Sequence, residues 1–349
     1  MTALPILADG LYRTLKHNEI RVLELLPGDK AAPILCHLRH VEIEYYDEFE
    51  AVSYTWGNEQ HSRSIRFKSG TLAITPSLET ALRVFRHPVP GALGWAFEHV
   101  RRFFGSDSWR HTLIPGKSYL WIDAICINQE DLDERNRQIK VMGEIYRRAK
   151  RLLIWLGVES NNSDVAMNFL SMAGETREMT DHIYIDWLRE NAAQFQQIFE
   201  SIMALLSRPC FTRAWILQEY VLGVDNSTLF YCGKRCLPRK NLSMELFDSL
   251  YERWENFNIA QDPTSQLTAT EQHRHMAKVF QKRCWRLVSL MRSELKHELL
   301  VSNKEVSMKA AKSRRDPKLS IVYWLELDRR CRATDPRDKV YSILGLVSR

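Results

Sequence analysis

Long apolar runs and the usual glycine-rich nucleotide-binding motifs are both missing from this chain of 349 residues. No apolar stretch reaches the roughly 18 residues that a membrane-spanning helix needs, and the acidic start at residues 1–10 is unlike a basic secretory signal. Glycine is sparse, and no Gly-x-Gly-x-x-Gly, full Gly-x-x-x-x-Gly-Lys-Ser/Thr phosphate loop or Gly-x-Ser-x-Gly elbow is present. We therefore expect no membrane span and none of the common dinucleotide, NTPase or serine-hydrolase sites.

Cysteines are few and scattered. Seven are present, and an odd number favours reduced, intracellular thiols over a disulfide framework, so we expect a cytoplasmic protein. Cys232 and Cys236 form a lone pair, and His273 and His275 have no partner ligands nearby in sequence. The sequence therefore predicts no metal site.

Charge and composition are those of a soluble globular protein, with 45% hydrophobic and 26% charged residues and a formal charge of +6. Basic residues cluster at 147–151, 309–318 and 329–332. Nucleic-acid binders more often carry a continuous basic stripe interleaved with aromatic residues. We expect a solvated face here, with nucleic acid or an acidic partner as the alternative.

Alternating patterns predict an α/β fold. Apolar runs bounded by turn residues predict strands at 21–26, 34–43, 50–54, 64–67, 71–74, 119–127, 152–156 and 228–232. Helical spacing and capping residues predict helices after Thr75 and at 131–149, 164–173, 190–207, 214–222 and 336–346. This order implies right-handed crossovers and a parallel sheet covered by helices on both faces.

Two domains are predicted, an α/β core over 1–225 and a mostly helical extension over 226–349. Within the core, residues 87–118 hold several prolines and glycines and are expected to form an inserted loop region. The extension ends in DPRDKVYSILGL, where Val340, Ile343 and Leu344 form an apolar stripe that favours a packing role.

Unusual residues fall where the predicted parallel strands end, which is where ligands bind in open α/β sheets. They are Tyr54, Trp56, Gly57, Asp123, Asn128 and Gln129. Asp123 interrupts an apolar run, and a buried carboxylate needs partners to offset its desolvation. It either holds the turn through loop amides or contacts a ligand. Trp56 likewise belongs either to the core or to a binding site.

Trp215 and Glu219 stand four residues apart, so on a helix they share a face with Cβ atoms about 6 Å apart. An aromatic wall beside a carboxylate suits the binding of a ribosyl group. The structural alternative is an ion pair between Glu219 and the nearby Arg213.

Four segments together resemble the heterokaryon incompatibility (HET) domain of filamentous fungi: YTWG at 54–57, WIDAICINQ at 121–129, RAWILQE at 213–219 and DPRDKVYSILGL at 335–346. The resemblance covers residues 21–346. It implies a role in regulated cell death when a non-self partner is sensed.

The strand order followed by Trp215-x-x-x-Glu219 also resembles the Toll/interleukin-receptor (TIR) layout. In catalytic TIR members such a glutamate cleaves the nicotinamide–ribose bond of NAD, usually after self-association. The resemblance implies a TIR-like, flavodoxin-like parallel sheet flanked by helices, a catalytic role for Glu219 alone, and NAD as the substrate with no cofactor. The residues that we expect to bind this substrate are Tyr54, Trp56, Gly57, Asp123, Asn128, Gln129, Arg213 and Trp215.

A lone carboxylate suits this chemistry. Glycoside hydrolysis ordinarily needs a second carboxyl group to protonate a poor leaving group. The nicotinamide ring of NAD is already cationic and leaves neutral, so no general acid is needed, and one anion beside the developing ribosyl cation would supply most of the stabilisation.

The chain departs from the TIR pattern in residues 87–118 and 161–209, which are longer than a compact TIR domain carries, and in the tail after residue 226. The rival hypothesis is a non-enzymatic signalling module whose aromatic segments bind a protein partner.

Overall fold

The computed structural model describes residues 11–57, 59–87, 118–175, 192–223, 227–242, 325, 328–329, 331–344 and 346. The chain divides into two compact units, Met1–Val158 with Gly223–Pro238, and Glu159–Leu222 with Arg239–Arg349. This division differs from the predicted one between residues 225 and 226, because the strands after residue 226 pair with the sheet of the first unit. Residues 88–117 of the predicted loop at 87–118, and most of the predicted helical extension, lie outside the described residues.

The first unit is built on a mixed sheet of seven strands and a separate hairpin. In chain order its elements are β1 (Glu19–Leu25), β2 (Cys36–Glu42), β3 (Glu50–Tyr54), the hairpin β4 (Arg63–Phe67) and β5 (Gly70–Ile74), α1 (Pro76–Phe85), β6 (Ser118–Trp121), α2 (Asp123–Cys126), α3 (Leu132–Arg148), β7 (Arg151–Trp155), β8 (Thr228–Cys232) and β9 (Arg235–Pro238). The predicted α/β class is confirmed.

The order of strands across the sheet is β2-β1-β6-β3-β7-β8-β9. Strands β6, β3, β7 and β8 run parallel, whereas β1, β2 and β9 pair antiparallel with their neighbours. The chain leaves β3 toward β6 on one side and later continues from β7 to β8 on the other. The carboxyl ends of β3 and β7 therefore flank a topological switch point, the usual ligand site of open α/β sheets.

Local sequence explains the central strands and the first helix. Strand β8 is buried along its whole length and is apolar apart from Thr228 at its start, as expected for a strand covered on both faces. Thr75 caps α1, since its hydroxyl oxygen accepts the Leu78 amide at 3.2 Å, and Pro76 follows at the first helical position. One face of α1, including Leu82 and Phe85, is buried.

The predicted strand at 119–127 is wrong in its second half. Strand β6 ends at Trp121, and the short helix α2 follows. The carbonyl of Ile122 accepts the amides of Ile125 and Cys126 at 2.9 and 2.7 Å, which closes a helical turn. An apolar run of this length fits a buried strand and a buried turn equally well. Strand β9 was not predicted; it follows the tight turn in which Gly233 has φ 56°.

The second unit is helical in its described part. Its elements are α4 (Ser163–Glu175), α5 (Ala192–Leu206), a 3₁₀ turn (Pro209–Thr212), α6 (Ile216–Leu222), a 3₁₀ turn (Arg239–Asn241) and α7 (Asp338–Leu344). Helix α4 packs on α5, and α7 packs on α6. The predicted stripe on α7 is only partly correct, because Ile343 is buried whereas Val340 and Leu344 are 44% and 47% exposed.

None of the helices in the described ranges has both the length and the apolar character needed to cross a membrane. The predicted cytoplasmic location stays a prediction.

Candidate functional site

The RAWILQE segment lies at the entry to α6 in the second unit. Trp215 precedes the helix and is half-buried, and its carbonyl accepts the Glu219 amide at 3.1 Å. Glu219 therefore lies in the first part of the helix, where the dipole favours a negative charge.

Glu219 is 1% exposed. Arg213 donates from Nη2 to Oε1 of Glu219 at 3.3 Å and from Nη1 to Oε2 at 3.4 Å. The Arg213 side chain is itself only 16% exposed. The structural alternative raised by the sequence, an Arg213–Glu219 ion pair, is therefore present. A guanidinium so close offsets the negative charge that a ribosyl cation would need.

A short backbone bridge holds the loop that carries Arg213. The Arg332 amide donates to the Thr212 carbonyl at 2.6 Å, and the Ala214 amide donates to the Arg332 carbonyl at 2.9 Å. These two bonds flank Arg213 on both sides and form an isolated parallel β-bridge. The segment that carries Arg332 runs on into α7, which packs on α6. No local pattern in the sequence predicts this pairing, since its two sides are far apart in the chain.

In the first unit, Trp56 and Asp123 meet beyond the ends of β3 and β6. The Trp56 indole N–H donates to both carboxylate oxygens of Asp123, at 3.1 and 3.2 Å. Oδ1 of Asp123 also accepts the Ala124 amide at 2.8 Å. Asp123 thus holds the turn, as one of its two predicted roles requires, and at the same time orients Trp56. Trp56 is 38% exposed, so it is not a core residue.

The residues on either side of Trp56 differ in backbone conformation and in burial. Gly57 has φ 63°, a left-handed conformation that favours glycine and turns the chain away from β3. Tyr54, on β3 itself, is buried in the sheet. The hydroxyl oxygen of Thr55, between them, is buried with no hydrogen-bond partner in the described part of the chain. Such a group is costly unless water or a ligand satisfies it.

Gln129 and Asn128 follow α2 and stabilise the loop before α3. Gln129 donates from Nε2 to the Asp123 carbonyl at 2.8 Å, which ties it to the Trp56–Asp123 pair. The Asn128 side chain instead accepts the Glu130 amide at 3.2 Å, and the Asn128 amide donates to Glu134 at 2.7 Å. Asn128 is therefore placed by the loop rather than by the predicted site.

A buried ion pair under this loop was not predicted. Arg21 on β1 donates to both carboxylate oxygens of Glu134 on α3, at 2.5 and 2.8 Å, and both side chains are almost fully buried. Arg21 also donates to the carbonyls of Cys126 and Arg13. The sequence signal was a charged residue inside an apolar strand pattern. This network fixes the position of α2 and hence of Asp123.

The structure brings the predicted site residues into two groups, one in each unit. Trp56, Asp123 and Gln129 are linked in the first, and Arg213, Trp215 and Glu219 in the second. In the ranges that the structure describes, no group of three or more His, Cys, Asp or Glu side chains could hold a metal ion.

Comparison with known proteins relates part of this chain to one family. The profile of the family described as "Heterokaryon incompatibility protein (HET)" matches residues 104–219. Heterokaryon incompatibility protein 6, OR allele, from Neurospora crassa is 27% identical over 259 residues, which cover 65% of this chain. The chain spans about a third of that relative, 35% of its length. No solved structure matches. The sequence prediction of a HET-domain protein is thereby confirmed.

Proposed function

We propose that this HET-domain protein is an effector of heterokaryon incompatibility that triggers regulated cell death, and that the conformation described is its silent state. The observation that supports a silent state is the burial of Glu219, at 1% exposure, against the guanidinium of Arg213. The incompatibility role is supported by the HET match and by the name of the Neurospora relative.

The chemistry of the active state is hydrolysis of NAD to nicotinamide and ADP-ribose, as the TIR resemblance implies. Glu219 would stabilise the ribosyl cation electrostatically. Arg213 neutralises that carboxylate, so cleavage requires the guanidinium to turn away and the carboxylate to become accessible. Self-association is the proposed trigger of that change.

A separate observation favours ligand binding by the first unit. Beyond β3, the indole of Trp56 is 38% exposed and is held in place by Asp123. A planar aromatic ring would stack on the exposed part of the indole. NAD carries such rings.

The second candidate function is a non-enzymatic signalling module that binds a protein partner. It is favoured by the fact that the carboxylates of Asp123 and Glu219 both already accept hydrogen bonds within the fold. In this function the Arg213–Glu219 pair only stabilises the second unit.

One experiment separates the two candidates. The purified protein is incubated with NAD, first dilute and then concentrated or crowded, and free nicotinamide is measured. We expect release only under the assembling conditions and its loss in Glu219→Gln, with circular dichroism confirming the fold. If no nicotinamide appears under any condition, and Glu219→Gln still causes death when expressed in fungal cells, the non-enzymatic function is the correct one.

A further inference from the structure

The fourth unusual segment of the sequence, which ends the described chain, has no part in the proposed chemistry. It starts beside Arg332, whose amide and carbonyl bond to Thr212 and Ala214 at 2.6 and 2.9 Å, and it continues into α7. We call these two backbone bonds the clip. Each lies one residue from Arg213 in the sequence, one before it and one after it.

The geometry of the clip constrains Arg213 strongly. One hydrogen bond on each side of Arg213 fixes the direction in which its side chain leaves the backbone. The same direction carries the guanidinium to both oxygens of Glu219. Just before the clip in the chain, the Cys331 amide donates to the carbonyl of the buried Asp328 at 2.7 Å. Beyond the clip, Ile343 is fully buried on α7, which packs on α6. The segment is thus anchored at both of its ends within the second unit.

We infer that residues 331–344 are the positioning element of the Arg213–Glu219 pair. The clip places the guanidinium, the guanidinium covers the carboxylate, and α7 holds the clip in place by packing on the helix that carries Glu219. Loosening the clip releases Arg213, and loss of the Arg213–Glu219 bond in turn loosens the clip, because such coupling is reciprocal. The inference rests on the proposed function only in giving the Arg213–Glu219 pair a role in the incompatibility response.

The first test needs no NAD and no disruption of the clip. Amide hydrogen exchange is measured by NMR in the wild type and in Glu219→Gln, which keeps the side-chain shape and removes the charge. We expect the amides of Ala214 and Arg332 to exchange about tenfold faster in the variant, a typical size for coupled sites. The Leu78 amide, capped by Thr75 in the first unit, is the control and should not change. Unchanged exchange at Ala214 and Arg332 would overturn the inference.

The second test is a double-mutant cycle on thermal unfolding. Arg332→Pro removes the amide that bonds to Thr212, and Arg332→Ala is the matched control that keeps it. Each is made in the wild type and in Glu219→Gln. If the clip acts through the pair, Arg332→Pro lowers Tm less in the Glu219→Gln background, whereas Arg332→Ala has little effect in either. A purely structural bridge gives the same loss of Tm in both backgrounds and refutes a positioning role.

The nicotinamide assay distinguishes failure of this inference from failure of the proposed function. If the protein hydrolyses NAD, Arg332→Pro should raise nicotinamide release by the dilute protein, because Glu219 is less covered. If the clip and the Arg213–Glu219 pair are coupled but no nicotinamide is released, the positioning role is supported and NAD hydrolysis is rejected. If nicotinamide is released but the clip and the pair are not coupled, NAD hydrolysis is supported and the positioning role is rejected.

Discussion

A single indole N–H joins the ends of two neighbouring parallel strands: Nε1 of Trp56, after β3, lies 3.1 and 3.2 Å from the two carboxylate oxygens of Asp123, after β6. The contact sets the plane of the ring while leaving part of its surface in solvent. It explains why a carboxylate interrupts the apolar run at 121–127, since the indole N–H and the Ala124 amide both need an acceptor at that place.

Removing the Asp123 carboxylate should release the Trp56 ring. In Asp123→Ala, the indole N–H resonance of Trp56 is expected to move toward the position of a solvent-exposed indole, because its acceptor is gone. Asp123→Asn keeps one acceptor oxygen and should shift the resonance less. Two-dimensional NMR of ¹⁵N-labelled protein provides the measurement, and Trp56→Phe assigns the peak. A resonance unmoved in Asp123→Ala would show that the contact does not form in solution.

Breaking the Arg21–Glu134 pair should be costly. Glu134→Gln leaves the Arg21 guanidinium buried without its counter-charge, which typically destabilises a protein by about 3–5 kcal/mol. The half-exposed Arg148–Glu144 pair on the same helix is a matched control, and Arg148→Met should cost less than about 0.5 kcal/mol. Urea unfolding of both variants measures the difference. Equal effects would contradict the buried position of Arg21.

His40 should make stability depend on pH. Burial and then the charges of Arg13 and Arg21 lower the pKa of His40 below its ordinary value of 6.5. The unfolded chain therefore takes up a proton at His40 more readily than the folded chain does. The contribution of neutral His40 to the free energy of unfolding is present above pH 6.5 and is lost as the pH falls below it. Between pH 7 and pH 5 the wild type should lose more stability than His40→Gln. Urea unfolding at pH 7, 6 and 5 measures both slopes, and parallel slopes would argue against a lowered pKa.

Two thiols should be inert in the native protein. Burial raises the pKa of Cys36 and of Cys126 to about 12. Since the thiolate is the reactive form, iodoacetamide at pH 8 should leave both unmodified in the native state and alkylate both after denaturation. Cys331 is partly exposed and provides the internal control. Peptide mapping by mass spectrometry detects the products, and early labelling of Cys126 would place it in a more open environment.

The sequence patterns predicted the parallel strands well, because a strand that is buried on both faces consists almost entirely of apolar residues. Strands β3 and β8 were predicted with the bounds they have, and Thr75 marked the start of α1 by its capping role. The same rule failed at 122–127, because a helical turn buried on all sides carries the same apolar composition as a strand.

The candidate site could be predicted only in part. Sequence spacing predicted that Trp215 and Glu219 lie one turn apart, and it raised the pairing of Glu219 with Arg213; in the structure Trp215 precedes the helix and its carbonyl accepts the Glu219 amide. It could not show how deeply Glu219 is buried, because burial depends on segments distant in the chain. The bonds of Arg332 to Thr212 and Ala214, and of Arg21 to Glu134, likewise join residues more than a hundred positions apart. Local periodicity holds no information about such partners.

The interleaving of the two units has a consequence for biosynthesis. Strand β7 cannot pair with its parallel neighbour β8 until residues 156–227, which separate the two strands, have left the ribosome. During that interval an apolar edge of the nascent sheet stays open to pairing with other chains, which makes it a target for chaperones. Translation speed through residues 159–222 should therefore influence how much of the protein reaches its native state.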